Sequence, residues 1–316
     1  MIMKIEFNDL KKLFYGAIQF QIIDEYLAFY RFTQNQIENM RYDQFYFDRT
    51  KFSASICIGF ETVATKFSFA YKIVNISLRD SFYVYVNKKL MCSKSEEELP
   101  NEGILTFSLP EGQKEVELYF PVDAEIRIKA FCIDGNWSEL QPKDCKVLWI
   151  GDSITQGAGS FSGGCTYVNI VTRTLNYHSL NQGLGGYKHD PHILLPLHDF
   201  SIDKIIVSLG TNDWLKGLNE RMSSFYQQFF QLYPNIPTLI ITPIWRADSD
   251  EKVVELQNIK NMIESFCGNK AHIKIVDGFE LVPHQEIYFW DKLHPNALGM
   301  ESYAQMLINK IRALNF

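Results

Sequence analysis

The chain has no long apolar run, no paired cysteines and no excess of basic charge, and each absence removes a class of function. No apolar stretch approaches the roughly 18 residues of a transmembrane helix, so no membrane partner is expected. The six cysteines (57, 92, 132, 145, 165 and 267) form no C-x-x-C pair and do not cluster with histidine, the pattern of reduced, mostly buried thiols rather than a disulfide framework or a zinc site. With 31 basic and 37 acidic residues the net charge is −6, which argues against a nucleic-acid surface. The N-terminal dozen residues are charged throughout and lack the apolar core of a signal peptide, so a cytoplasmic protein is expected, although a secreted chain already relieved of its signal would read the same. There is no G-x-S-x-G elbow. The run Gly183-Leu-Gly-Gly-Tyr-Lys stops short of G-x-G-x-x-G, and no Walker lysine follows Gly151, so neither an α/β-hydrolase elbow nor a nucleotide cofactor finds support.

What is present divides near residue 144. At 316 residues, 46% hydrophobic and 22% charged, the chain can hold two globular domains. The first 140 residues carry short runs rich in Phe, Tyr, Val and Ile, such as Lys66-Phe-Ser-Phe-Ala-Tyr and Glu115-Val-Glu-Leu-Tyr-Phe, separated by turn residues. Their polar–apolar alternation predicts an antiparallel β-sandwich, jelly-roll-like, over residues 1–140. From 145 to 316 strands and helices alternate. Strands are expected near 146–150, 178–182, 204–209, 238–243 and 273–277, and helices near 165–176, 218–232, 250–266 and 297–312. That alternation implies an α/β fold with a parallel sheet covered on both faces. The connection falls between Gly135 and Asp144.

Four short segments of the second part carry chemistry: Gly-Asp-Ser at 151–153, Asn181 to Gly186, Gly-Thr-Asn-Asp at 210–213, and Asp291-x-x-His294. Ser153 follows the apolar run Lys146–Ile150, so it stands where a buried strand emerges at the carboxyl end of the sheet. A serine there is a candidate nucleophile, His294 the base that takes its proton, and Asp291 the carboxylate that orients the imidazole. Each residue alone has a plainer explanation. A serine between strand and helix is usually an N-cap, Asn212 could simply shape its turn, and Gly183, Gly185 and Gly186 could serve a tight bend.

Taken together and in this order, the four segments resemble the signature blocks of the SGNH, or GDSL-type, hydrolases, a superfamily of serine esterases. The resemblance covers 145–316. It implies a flavodoxin-like three-layer fold with sheet order 2-1-3-4-5, and an oxyanion hole made by the N–H groups of Ser153 and Gly186 and the side-chain amide of Asn212. A sandwich of this size ahead of such a domain is similar to the two-domain acetyl esterases of carbohydrate-esterase family two, and Ser81-Phe-Tyr-Val-Tyr-Val is similar to a strand of their sandwich. The reading is a serine esterase removing a small acyl group, acetyl first, from a hydroxylated substrate such as a sugar or oligosaccharide, with no cofactor. Two rivals stay open: a thioesterase or lysophospholipase acting on longer chains, and a carbohydrate-binding protein with an idle hydrolase domain.

Trp214, Trp245 and Trp290 are core residues by default, but each lies close to a strand end or a catalytic block, so all three are candidates for the pocket mouth, with Arg246 beside them for a polar substrate group. Of the seven histidines only His294 has an acidic residue at the right offset. His189 and His192 with Asp190 offer too few ligands for a metal, and none is expected.

Overall fold

The structure, a computed structural model, describes residues 3–78, 80–95, 98–161, 163–213, 218–248 and 250–316. The N-terminal part consists of two antiparallel sheets. One has the order β3 (Gln19–Ile23), β4 (Tyr26–Tyr30), β11 (Ala124–Ile133), β6 (Lys66–Ile76), β9 (Glu102–Ser108), with β1 (Met3–Lys4) added to β11. The other runs β12 (Trp137–Glu139), β5 (Cys57–Thr62), β10 (Lys114–Tyr119), β7 (Ser81–Val86), β8 (Lys89–Ser95), with β2 (Phe14–Tyr15) beside β5. Period-two alternation decides which side chains meet. On β6, Phe67, Phe69, Tyr71 and Ile73 turn inward and join Ile58, Phe60, Phe82, Val84, Val116 and Leu118 of the facing sheet in one core.

The second part is a parallel sheet in the spatial order β14 (Tyr177–Gly183), β13 (Cys145–Gly151), β15 (Lys204–Ser208), β16 (Thr238–Ile241), β17 (Ile273–Val276). Its strands are apolar on both faces because helices cover both. Val147, Trp149, Ile206, Leu239 and Ile241 face α5 (Tyr167–Thr174) and α8 (Ala297–Ala313). Leu148, Ile150, Ile205, Val207 and Ile240 face α6 (Leu218–Leu232) and α7 (Asp250–Cys267).

Residues 31–52 interrupt the run of strands expected over 1–140. They form α2 (Gln34–Asn39) and α3 (Gln44–Arg49), while α1 (Phe7–Leu10) is a single turn near the start of the chain. A capping box starts α2: Thr33 Oγ1 accepts from the Gln36 amide at 3.2 Å and Gln36 Oε1 accepts from the Thr33 amide at 3.0 Å. Its face does not enter the sandwich. Ala28, Tyr30, Phe32, Ile37 and Met40 pack into the same core as α6 and α7, and Gln36 Nε2 donates to Gln182 Oε1 (3.0 Å) and Ile193 O (2.9 Å).

Arg31 binds the two parts most directly. Fully buried, it donates from Nε to Phe52 O (2.9 Å), from Nη1 to Asn181 O (2.8 Å) and Gly183 O, and from Nη2 to Arg49 O (3.3 Å). Burial pulls its pKa down to about 9, with the Asp123 carboxylate opposing the shift. Arg31→Met should therefore leave several carbonyls without donors and cost about 3 kcal/mol of unfolding free energy, since each buried unpaired group costs about 1–3 kcal/mol. Urea denaturation measures this, and a loss under about 1 kcal/mol would mean that water or a relaxed backbone meets those carbonyls instead.

Candidate active site

β13 ends at Gly151, where an added Cβ would lie 2.0 Å from Thr155 Oγ1 and 2.8 Å from Ser208 O, so only glycine lets the chain turn this tightly against β15. Asp152 then caps the single turn α4 (Ser153–Gln156), its Oδ1 accepting from the Ile154 amide at 2.9 Å. The turn ends at Gly157, with φ of +109°. Ser153 is thus presented at the carboxyl edge of the sheet with its own backbone pinned.

The opposing group arrives on the loop before α8. Phe289 and Pro295 form an isolated bridge, and the Trp290 amide donates to His294 O at 3.1 Å. Asp291 organises the loop: Oδ1 accepts from the amides of Leu293 (3.0 Å) and His294 (2.7 Å), and Oδ2 meets His294 Nδ1 at 2.7 Å. Burial alone would raise the Asp291 pKa, but the His294 amide and imidazole and the Leu293 amide outweigh it and hold the carboxyl below its usual range. An ionised carboxylate only accepts, so the Nδ1 proton points at Asp291 and Nε2 is left as an acceptor. His294 Nε2 lies 2.8 Å from Ser153 Oγ. Gly159, with φ of +83°, makes this approach possible: a Cβ there would sit 2.2 Å from Trp290 Nε1 and 2.7 Å from His294 Cβ.

The other two segments meet beside the serine. Gly186 (φ +75°) lies on the loop after β14, and Asn212 on the turn after β15 donates from Nδ2 to Tyr187 O at 3.1 Å. Behind them, the buried Asp213 accepts from His189 Nδ1 (2.8 Å) and from the His189 amide (3.2 and 3.3 Å), while His189 Nε2 lies 3.2 Å from Tyr226 Oη. The two loops are clamped together at this point. A cleft of about 260 Å³ opens here, lined by Ser153, Gln156, Ala158, Gly185, Gly186, Asn212, Leu293 and His294, and by Phe45, Arg49, Ser77, Leu78 and Asp123 from the N-terminal part.

Residues 149–301 match the family model described as GDSL-like lipase/acylhydrolase. This region is a GDSL-type hydrolase domain. No curated protein sequence matches the chain. Among solved structures, a putative GDSL-like lipase from Bacteroides ovatus is similar with a TM-score of 0.82 at 19% identity, over 99% of this chain and 98% of that one. A family two carbohydrate esterase from Cellvibrio japonicus has a TM-score of 0.70 at 14% identity, over 99% and 98%. The salicylyl-acyltransferase SsfX3 from a tetracycline biosynthetic pathway has 0.74 at 18%, over 96% and 94%. At such identities these likenesses establish the fold, and they extend over the antiparallel sheets as well as the hydrolase domain. The protein is a carboxylic ester hydrolase.

Two of the aromatic and basic candidates for the pocket mouth, Trp245 and Arg246, fall elsewhere. Trp245 stacks on His284 with centroids 5.2 Å apart and meets Phe289 edge-on, away from the cleft lining. Arg246 is 3% exposed, and its guanidinium is engaged by Asp248 (2.5 and 2.6 Å) and by Thr211 O (3.1 Å), a partner visible two residues along the sequence. Trp290 is 44% exposed, packs edge-on against Phe161 and lies beside His294, with ring centroids 6.3 Å apart. Trp214 lies outside the described residues. His192 pairs with Asp190 while His189 faces Asp213, and no group of three or more His, Cys, Asp or Glu that could hold a metal occurs among the described residues. Sequence reasoning missed Phe45, Arg49, Ser77, Leu78, Asp123 and Gln156. Only Gln156, three residues past the serine on the same turn, carried a local signal.

Burial pushes the Asp152 carboxyl up to about 7, with the Ile154 amide opposing and the Asp213 charge adding to the shift. Because its folded pKa lies above the unfolded value near 3.8, the stability this carboxyl contributes is full below about pH 3.8 and is lost as pH rises through about 7. Asp152→Asn should remove that fall, so the variant's urea midpoint should change less than the wild type's between pH 4 and 7. An identical slope would mean that Asp152 titrates as an ordinary carboxyl.

Proposed function

We propose that the protein is a serine esterase that removes a small acyl group, acetyl first, from a hydroxylated substrate such as a sugar. The observation that carries this reading is the 2.8 Å approach of His294 Nε2 to Ser153 Oγ, with Asp291 fixing the tautomer. Ser153 Oγ attacks the ester carbonyl as His294 takes its proton. The tetrahedral oxyanion rests on the N–H groups of Ser153 and Gly186 and on the Asn212 amide. His294 then protonates the departing alkoxide, and the acyl-enzyme remains. Water, deprotonated by His294, attacks the acyl carbon and releases the carboxylic acid with Ser153 restored.

The cleft supports a small acyl group over a long one. A volume of about 260 Å³ leaves little room for an extended acyl chain. The similarity to structures named as family two carbohydrate esterases and as an acetyl xylan esterase from Butyrivibrio proteoclasticus points the same way. An idle domain would have no use for the Ser153–His294–Asp291 arrangement.

Ser153→Ala and His294→Ala should each reduce kcat for p-nitrophenyl acetate by at least about a thousandfold without loss of fold, and Asp291→Asn by less. Asn212→Ala should lower kcat roughly 100- to 1,000-fold with little change in KM. Stopped assays and circular dichroism measure both. Wild-type-like turnover in the Ser153 variant would refute the mechanism, and a dominant KM effect at Asn212 would assign it to ground-state binding. Acetate should be cleaved faster than octanoate; the reverse order would return the long-chain reading.

A further inference from the structure

Arg49 and Asp123 come from separate segments of the N-terminal part, α3 and the residue before β11, and both reach the cleft that holds Ser153. Arg49 lies over the Phe45 ring, Cζ 3.4 Å from its centroid, and donates from Nη2 to Ser77 Oγ (2.9 Å) and from Nη1 to Phe45 O (3.4 Å). Its edge abuts the hydrolase loop: a Cβ on Gly185 would lie 3.0 Å from Arg49 Nε. A guanidinium has five N–H donors, and these contacts engage two. Asp123 is 5% exposed and, among the described residues, takes its side-chain hydrogen bond from Gln156 Nε2. Gln156 in turn accepts from the Gly185 amide at 2.8 Å, so the carboxyl is held in register with both the serine turn and the Gly185–Gly186 loop. A carboxylate has about four acceptor positions, and most of those on Asp123 remain open.

We propose that Arg49 and Asp123 form a subsite for free hydroxyl groups of the alcohol half of the ester, so that the preferred substrate is a neutral polyol or sugar bearing an unprotected hydroxyl near the acylated one. This rests on the esterase reading above. The chemistry follows from the pairing. A hydroxyl both donates and accepts, so neighbouring hydroxyls can give a proton to Asp123 and take one from Arg49. A second anion on the substrate would meet Asp123, a cation would meet Arg49, and an aliphatic group would leave both desolvated without partners. Sites built to hydrogen-bond a hydroxyl discriminate strongly against analogues that lack it, for that last reason. Burial, opposed by Gln156, Arg49, Arg31 and His294, raises the Asp123 pKa to about 6.

The test uses the full-length enzyme and two acetyl esters: a monoacetylated methyl glycoside with free neighbouring hydroxyls, and the same compound with those hydroxyls O-methylated. The wild type should favour the free-hydroxyl ester in kcat/KM by about thirtyfold or more, on the scale of hydrogen bonds to charged groups. Asp123→Asn and Arg49→Gln should each reduce that ratio by about tenfold. A wild type that cleaves both glycosides equally well overturns the subsite while leaving the esterase reading intact, and this comparison needs no variant to fold. Ratios unchanged in both folded variants likewise remove these two residues from the role. Inactivity of the wild type on both glycosides and on p-nitrophenyl acetate refutes the esterase reading itself.

Discussion

The structure turns on a buried cation. Arg31 sits at the end of β4 with no exposed surface, and its guanidinium satisfies carbonyls from four places: Phe52, Arg49, and Asn181 and Gly183 of β14. A desolvated guanidinium is costly unless nearly every N–H finds an acceptor, so its neighbours have little freedom to shift. Two of those neighbours bear on the site. Gly183 begins the loop that carries Gly185 and Gly186, and Arg49 lines the cleft. The N-terminal part is therefore built into the framework that sets the width of the cleft.

The site itself is an arrangement of short loops held by backbone-directed polar groups. Asp152 fixes the serine turn, Asp291 fixes the histidine loop, and Asp213 with His189 ties the Gly186 loop to the Asn212 turn. Three aspartates thus do for three loops what a helix or strand does for longer segments. They also answer burial differently. Asp291 and Asp213 lie beside histidine and stay below the usual carboxyl range, whereas Asp152, fully enclosed, rises to about 7.

Much of this was legible in the chain. The five parallel strands and α5 to α8 fall within a few residues of where apolar runs and periodicity put them, because elements buried on a face must repeat with that face's period. The residues singled out at 153, 186, 212, 291 and 294 converge on one cleft or its immediate support, since each sits in a short block whose glycines and aspartates mark a turn at a strand or helix end. What was not legible depends on distant partners. Helix α2 stands where only strands were expected, although Thr33 and Gln36 have capping-box spacing, and nothing local said that its face would pack against the hydrolase sheet. Arg246 looked available until Asp248 claimed it. Asp123, between two strands of apparently ordinary pattern, acquires its place only when residues 33 positions apart, Asp123 and Gln156, are brought together.

The bond between Asp123 and Gln156 has a consequence for how such a protein can diversify. The groups suited to bond-breaking lie in 149–301, while a large share of the cleft wall comes from Phe45, Arg49, Ser77, Leu78 and Asp123. Chains that keep every block after 145 but differ in those earlier segments would run one reaction on different alcohols. Insertions in the loops flanking α3 and β7 would be the economical route to a new substrate, because they reshape the wall without disturbing the strand ends that hold the serine.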